Sequence, residues 1–200
     1  REFLRARLER EDPELFRTLC LKQAQIVSTQ GDWAQAISSY LTVQAYDQAA
    51  EALEIVVQEG FVSGDYAQLD NWFELFSDQT LRKHPRLLLF RSRVATERGD
   101  SIEAERIAQQ ALIAAQEMND NASSARSLVQ LAVLKRFQGK TAEAIRFSEN
   151  ALALADPQDL ITAEQAHREL GLSKYSQGHL PDSVKELEKA LEITKSMSNE

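Results

Sequence analysis

Glycine recurs in this chain at a nearly constant interval inside otherwise helical sequence, and that interval limits the fold to a stack of helix pairs. Only seven glycines occur. Five of them open the segments GDWAQAI at Gly31, GDYAQLD at Gly64, GDSIEAERIAQQAL at Gly99, GKTAEAIRFSENAL at Gly139 and GHLPDSVKELEKAL at Gly178, which lie 33, 35, 40 and 39 residues apart. Glycine enters the left-handed backbone region without a steric cost, so a glycine between two helical patterns marks the corner where the chain reverses. An interval of this size is one helix, a corner and a second helix, repeated.

The residues after each corner repeat as well. Five and twelve positions beyond Gly99 stand Ala104 and Ala111; beyond Gly139, Ala144 and Ala151; beyond Gly178, Ser183 and Ala190. The first copy keeps Ala36 but has Val43. Small side chains at fixed offsets let two helix backbones approach closely. Thirteen positions on, Leu112, Leu152 and Leu191 repeat one large residue, so the second helix of each pair shows small, small, large along one face.

Capping and 3.6-residue periodicity predict ten helices: Pro13 to Gln30, Trp33 to Gln44, Asp47 to Glu59, Tyr66 to Phe76, Pro85 to Arg98, Ser101 to Glu117, Ala122 to Gln138, Thr141 to Leu154, Thr162 to Gln177 and Pro181 to Ser196. Asp12-Pro13 is a good helix start, with proline in the first turn. MNDNAS, Met118 to Ser123, reads as a loop. No stretch alternates long enough to argue a strand. The expected fold class is all-α, a right-handed superhelix of antiparallel helix pairs. The chain opens on Arg1-Glu2, with no initiating Met or apolar leader, and reads as cut from something longer. No polar capping helix follows Leu191 and Ile193, so the repeats are expected to continue beyond residue 200.

Composition removes several classes of function. Lys and Arg number 23 against 31 Asp and Glu, a formal charge of −8, which disfavours direct contact with nucleic acid. The longest apolar runs are short ones such as LLLF at Leu87 to Phe90, against about 20 residues for a membrane span. A single cysteine, Cys20, makes neither an internal disulfide nor a zinc site and fits a reducing, cytoplasmic setting. It is expected in the core. No glycine cluster with Lys and Ser or Thr forms a phosphate loop. His84, His167 and His179 are scattered, His167 having only Glu164 at helical spacing, so no metal site is expected. Carboxylate pairs such as Glu51 with Glu54 and Glu186 with Glu188 read as solvated faces, and Trp33, Trp72 and Phe73 as packing residues. No catalytic residue and no cofactor are expected.

The spacing of Gly, Ala and Ala, with Leu170-Gly171 seven residues before Gly178 and Asp156-Pro157 at a repeat end, resembles the tetratricopeptide family. Intervals of 39 and 40 exceed that family's usual 34 and imply longer helices or loops. A narrower resemblance covers about the first hundred residues. FLRARLEREDPE from Phe3, GDWAQAISSYL, AYDQAAEALE from Ala45 and HPRLLLFRSRVATERGD from His84 follow in an order similar to the MalT-type transcriptional regulators. In that family an ATP-hydrolysing module and a winged helix precede a repeat superhelix that senses an inducer, and a LuxR-type DNA-binding domain closes the chain. The resemblance implies that residues 1–12 end a winged-helix-like segment and that 13–200 form repeats.

In such repeats the first helix of each pair lines the concave surface. Alignment on the corner glycines places Arg86, Phe90 and Arg93 there, then Arg126, Gln130, Val133 and Arg136, then Arg168, Glu169, Leu172 and Tyr175. Two readings stay open. The groove is locally positive and receives an anionic small molecule or an acidic peptide, or the arginines pair with neighbouring acids such as Glu97 or Glu164. The Lys and Asn clamp by which related adaptors hold chaperone tails is absent, its positions carrying Leu21, Gln25, Leu89, Arg93, Val129 and Val133. The expected function is a sensor module of a MalT-like regulator that binds an inducer or partner protein. The alternative is a free-standing adaptor for protein partners. The oligomeric state is not legible.

Overall fold

A computed structural model describes residues 2–198, with side chains from residue 6 onward. Among the described residues there are twelve helices and no strand. They are α1 (Glu2–Glu11), α2 (Pro13–Thr29), α3 (Trp33–Thr42), α4 (Tyr46–Val62), α5 (Tyr66–Glu74), α6 (Asp78–Arg82), α7 (Pro85–Glu97), α8 (Ser101–Glu117), α9 (Asn121–Phe137), α10 (Thr141–Leu154), α11 (Leu160–Ser176) and α12 (Leu180–Met197). All ten helices expected from the sequence are present. Neither α1, where the resemblance implies only the end of a winged-helix-like segment, nor the five-residue α6 was among those ten; the first turn of α6 is held by the Ser77 hydroxyl, which accepts from the Thr80 amide at 3.1 Å.

All five corner glycines have positive φ, from 74° to 82°. At three corners the next residue is Asp, and its Oδ1 accepts the amide three positions on: Asp32 from Gln35 at 3.1 Å, Asp65 from Gln68 at 3.3 Å, Asp100 from Glu103 at 3.1 Å. Gly-Asp thus stops one helix and caps the next, and so short a link makes successive helices antiparallel. The expected loop from Met118 to Ser123 shrinks to a tight corner in which Asn119 takes φ 55° and Asp120 caps α9 through the Ser123 amide at 3.0 Å. The long repeat interval is therefore spent on helix, with 17 residues each in α8 and α9.

The chain divides between Leu81 and Arg82 into two compact units. In the first, α2 packs on α3, α3 on α4 and α4 on α5, while α1 lies against α2. Cys20 sits in its core with Phe16, Val43 and Ala45, and Leu8, Leu21 and Tyr40 close around them. Phe73 is buried, and Trp33 and Trp72 are half-buried, as packing residues should be.

In the second unit each helix from α7 to α12 packs on the next. Ala104, Ala111, Ala144, Ala151, Ser183 and Ala190, the small residues of the repeat, are all buried. Leu131 and Leu134 of α9 lie on Ala104 and Ala108 of α8, and Ala166 of α11 meets Ala151 of α10. Each small side chain removes the bulk that would hold the next helix away. Leu112 and Leu152 pack into these clusters, whereas Leu191, at the same offset on α12, is exposed.

Candidate functional site

Within the second unit the first helices touch one another, α7 with α9 and α9 with α11, while the second helices make no comparable contact. A row that is close on one side and spread on the other is curved, with the close side innermost. The inner face is the row α7, α9, α11, where the sequence places its candidate binding residues.

The row is tied together by side chains at constant offsets from the corners. Gln130, nine residues before Gly139, donates its Nε2 to the Thr96 hydroxyl at 2.9 Å; Thr96 is three before Gly99. Glu169, nine before Gly178, accepts from Arg136 Nε at 2.8 Å; Arg136 is three before Gly139. Position minus nine of one first helix thus bonds position minus three of the preceding one. Three residues expected to face outward occupy position minus nine, and all lie beneath the surface: Phe90 is 3% exposed, Gln130 8% and Glu169 1%. For Gln130 and Glu169 the physical reason is the contact with the preceding first helix, which covers a position that an isolated helix would show to solvent.

The arginines remain accessible but are not idle. Arg126 donates from Nη2 to Asp159 Oδ2 at 2.7 Å and from Nε to the Thr162 hydroxyl at 3.4 Å. Arg168 lies 3.2 Å from Glu164 and, through Nη1, 3.4 Å from Glu169 Oε1. Arg86 and Arg93 flank the Phe90 ring, 6.0 and 5.1 Å from its centroid. Such geometry favours a guanidinium over an aromatic face. Tyr175 is 63% exposed, and Val133 and Leu172 are half-buried between these groups. The pairing of Arg168 with Glu164 is one the sequence offered. Asp159, which caps α11 and takes Arg126, was not foreseen as a partner.

On the opposite side of the row, Glu186 of α12 is buried and takes His167 Nδ1 at 2.8 Å, Lys189 at 3.3 Å and Lys174 at 3.5 Å. The sequence reading had it on a solvated face and gave His167 no partner beyond Glu164; the missing partner is 19 residues away, on the helix packed alongside. Glu105 likewise accepts from Lys135 and from Gln138, both at 2.7 Å.

These contacts set the response to acid. Burial alone would raise the carboxyls of Asp159 and Glu186, but the hydrogen bonds from Thr162 and Arg126 in one case, and from His167 and Lys189 in the other, outweigh it and hold both below their ordinary values of 3.8 and 4.5. Hydrogen bonds from Lys135 and Gln138 do the same for Glu105. A carboxyl depressed in the folded state stabilises it above the unfolded pKa, and that contribution is lost as pH falls through the folded value. The denaturant midpoint is therefore expected to hold steady from pH 7 down to about pH 5 and to drop below pH 4.5, with a smaller drop in Glu186→Gln. Urea titrations across that range check it.

Among the described residues no group of three His, Cys, Asp or Glu side chains is placed to hold a metal ion, and no helix is long and apolar enough to cross a membrane. A scan of protein-family models finds no match to the chain, and neither does a search of curated proteins. Solved structures do resemble it. BtubC from P. vanneervenii aligns over 98% of this chain and 87% of its own at TM-score 0.66 and 16% identity. MamA from Desulfovibrio magneticus RS-1 aligns over 90% and 96% at 0.61 and 16%. A putative kinesin light chain from Podosopora anserina with nearly identical TPR-like repeats aligns over 95% and 100% at 0.52 and 17%. The fold is that of the TPR-like helical solenoids.

Proposed function

We propose that this chain is a binding module that acts by holding a partner against the inner face of α7, α9 and α11 and performs no chemistry of its own. The observation that carries the reading is the charge of that face. Arg86, Arg93, Arg126, Arg136 and Arg168 gather there, Arg126 bonded to Asp159, Arg136 to Glu169 and Arg168 to Glu164 and Glu169, in a chain whose formal charge is −8. The partner is accordingly an acidic peptide segment or a small anionic effector, met by guanidinium groups. Tyr175, Leu172 and Val133 supply apolar surface between them. The TPR-like structures that the chain resembles support protein binding.

The finer assignment is a sensor region of a MalT-type regulator, in which partner or inducer binding biases an attached ATPase. It rests on the order of FLRARLEREDPE, GDWAQAISSYL, AYDQAAEALE and HPRLLLFRSRVATERGD in the first hundred residues. On that assignment residues 1–12 close a winged-helix-like segment, and the parent reading frame carries a phosphate loop upstream and a DNA-reading helix-turn-helix downstream. A frame without them leaves a free-standing adaptor, with the same binding face.

The test is a titration of the chain against an array of acidic peptides and small organic anions at low and physiological salt. Arg126→Ala and Arg168→Ala are each expected to weaken the best ligand about tenfold, a loss of roughly 1.4 kcal/mol in a charge-assisted contact. Unchanged affinity in both variants overturns the reading.

A further inference from the structure

The arginines that α9 presents on the inner face also tie α9 to α11. Arg126 bonds Asp159, the cap of α11, and Arg136 bonds Glu169 within α11; among the described residues these are the two ion pairs that join the helices. Arg168 adds a 3.4 Å contact to Glu169 from α11 itself. An anion drawn to these arginines meets groups that already hold a carboxylate of the chain.

The neighbouring interface shows that the fold does not need such ties. The rung from position minus nine to position minus three, charged between α9 and α11, is the neutral pair Gln130 and Thr96 between α7 and α9. Glu169 is 1% exposed, and a carboxylate taken so far from water carries a desolvation cost that an amide and a hydroxyl avoid. The other tie is optional too. Arg86 stands 13 residues before Gly99 as Arg126 stands 13 before Gly139, and Asp120 caps α9 at the offset where Asp159 caps α11. Among the described residues no ion pair joins Arg86 to Asp120; Arg86 lies over the Phe90 ring. The same residues at the same offsets are thus tied in one interface and untied in the next.

Resting on the reading of this face as an anion-binding surface, we propose that Asp159 and Glu169 stand in for the carboxylates of an acidic peptide, which on binding takes Arg126, Arg136 and Arg168 in exchange for them. Arg126 and Arg136 are ten residues apart on one helix, about 15 Å along its axis. Two acidic side chains about five residues apart in an extended peptide span that distance, and a small anion does not. The bound peptide favours the untied arrangement and draws the population toward it, so binding is converted into a change in how α9 holds α11.

The probe is acetylated hexaglutamate, with citrate beside it as an anion that reaches one tie at a time. Glu169→Gln and Asp159→Asn keep the size of each side chain, and asparagine still caps a helix. Each variant is expected to bind hexaglutamate about tenfold more tightly than the parent, since a neutral amide competes less well for a guanidinium. Glu188→Gln, which removes an exposed acid on α12, should leave affinity unchanged. Amide hydrogen exchange in α9 and α11 of the parent should speed up when the peptide is bound and stay as it was with citrate. Suppose instead that the peptide binds through Arg126 and Arg168 but slows that exchange, or binds no more tightly to either variant. The exchange of carboxylates is then overturned, and the ligand merely bridges the two helices. Citrate binding as tight as hexaglutamate binding overturns the two-point grip. Binding by neither the parent nor the variants overturns the binding reading and this one together.

Discussion

Gly171→Val is expected to destabilise the second unit by about 3 kcal/mol, because a side chain at this point has no room between α11 and α12. A Cβ built on Gly171 would sit 2.7 Å from Leu187 Cγ, 2.9 Å from its Cδ2 and 3.2 Å from the backbone oxygen of Ser183. The first two contacts fall inside van der Waals radii, and the third involves backbone, which moves only if the helix moves. Valine adds two methyl groups to the conflict. In a chain of this size the loss corresponds to a fall in Tm of roughly 6 to 12 °C. Gly60 provides the contrast, since it lies in α4 with its nearest neighbour, Leu69 Cδ2, at 3.1 Å. There Gly60→Ala also gains about 1 kcal/mol of helix propensity, so its stability should stay within about 1 kcal/mol of the parent. Thermal melts of the two variants check the pair of expectations; equal losses would mean that the close approach of α11 to α12 is not what keeps Gly171 small.

The corners and the packing face were legible because each depends on residue type at a fixed offset along one helix. Gly31, Gly64, Gly99, Gly139 and Gly178 all adopt the positive φ that only glycine takes cheaply. The small residues five and twelve positions beyond Gly99, Gly139 and Gly178 are buried together because their separation is about two turns, which puts both on one side of a helix. What failed to show depends on a second helix. Gln130 and Glu169 share one offset, so the sequence revealed that they are equivalent; it could not reveal that the neighbouring first helix covers that offset. Asp159 and Glu186 were missed for a related reason. Their partners, Arg126 and His167, are 33 and 19 residues distant in sequence, and a pairing across helices depends on rotation and reach that no periodicity encodes. Helix α6 escaped because five residues span little more than one turn and display no period.

The same covered offset sets the second large effect, at the ion pair between α9 and α11. Glu169 is 1% exposed and holds two guanidinium groups, Arg136 at 2.8 Å and Arg168 at 3.4 Å, whereas the Arg136 side chain is 21% exposed. Removing either partner deletes the same bond, but the two deletions strand different charges. Arg136→Leu leaves a carboxylate with no path to water and only the longer contact to Arg168, and should cost about 3 kcal/mol. Glu169→Leu leaves a guanidinium that can turn outward and be hydrated, beside Phe137, whose ring already lies 4.5 Å from it; about 1 kcal/mol is expected. The double variant should recover most of the larger loss, since a buried ion pair replaced by apolar side chains of similar size is often neutral. Urea unfolding of the four proteins in the cycle measures all three values. Equal losses in the single variants would mean that the bond, and not the stranded carboxylate, sets the stability of this contact; the inner face could then lose Arg136 to an anionic ligand without loosening α9 from α11.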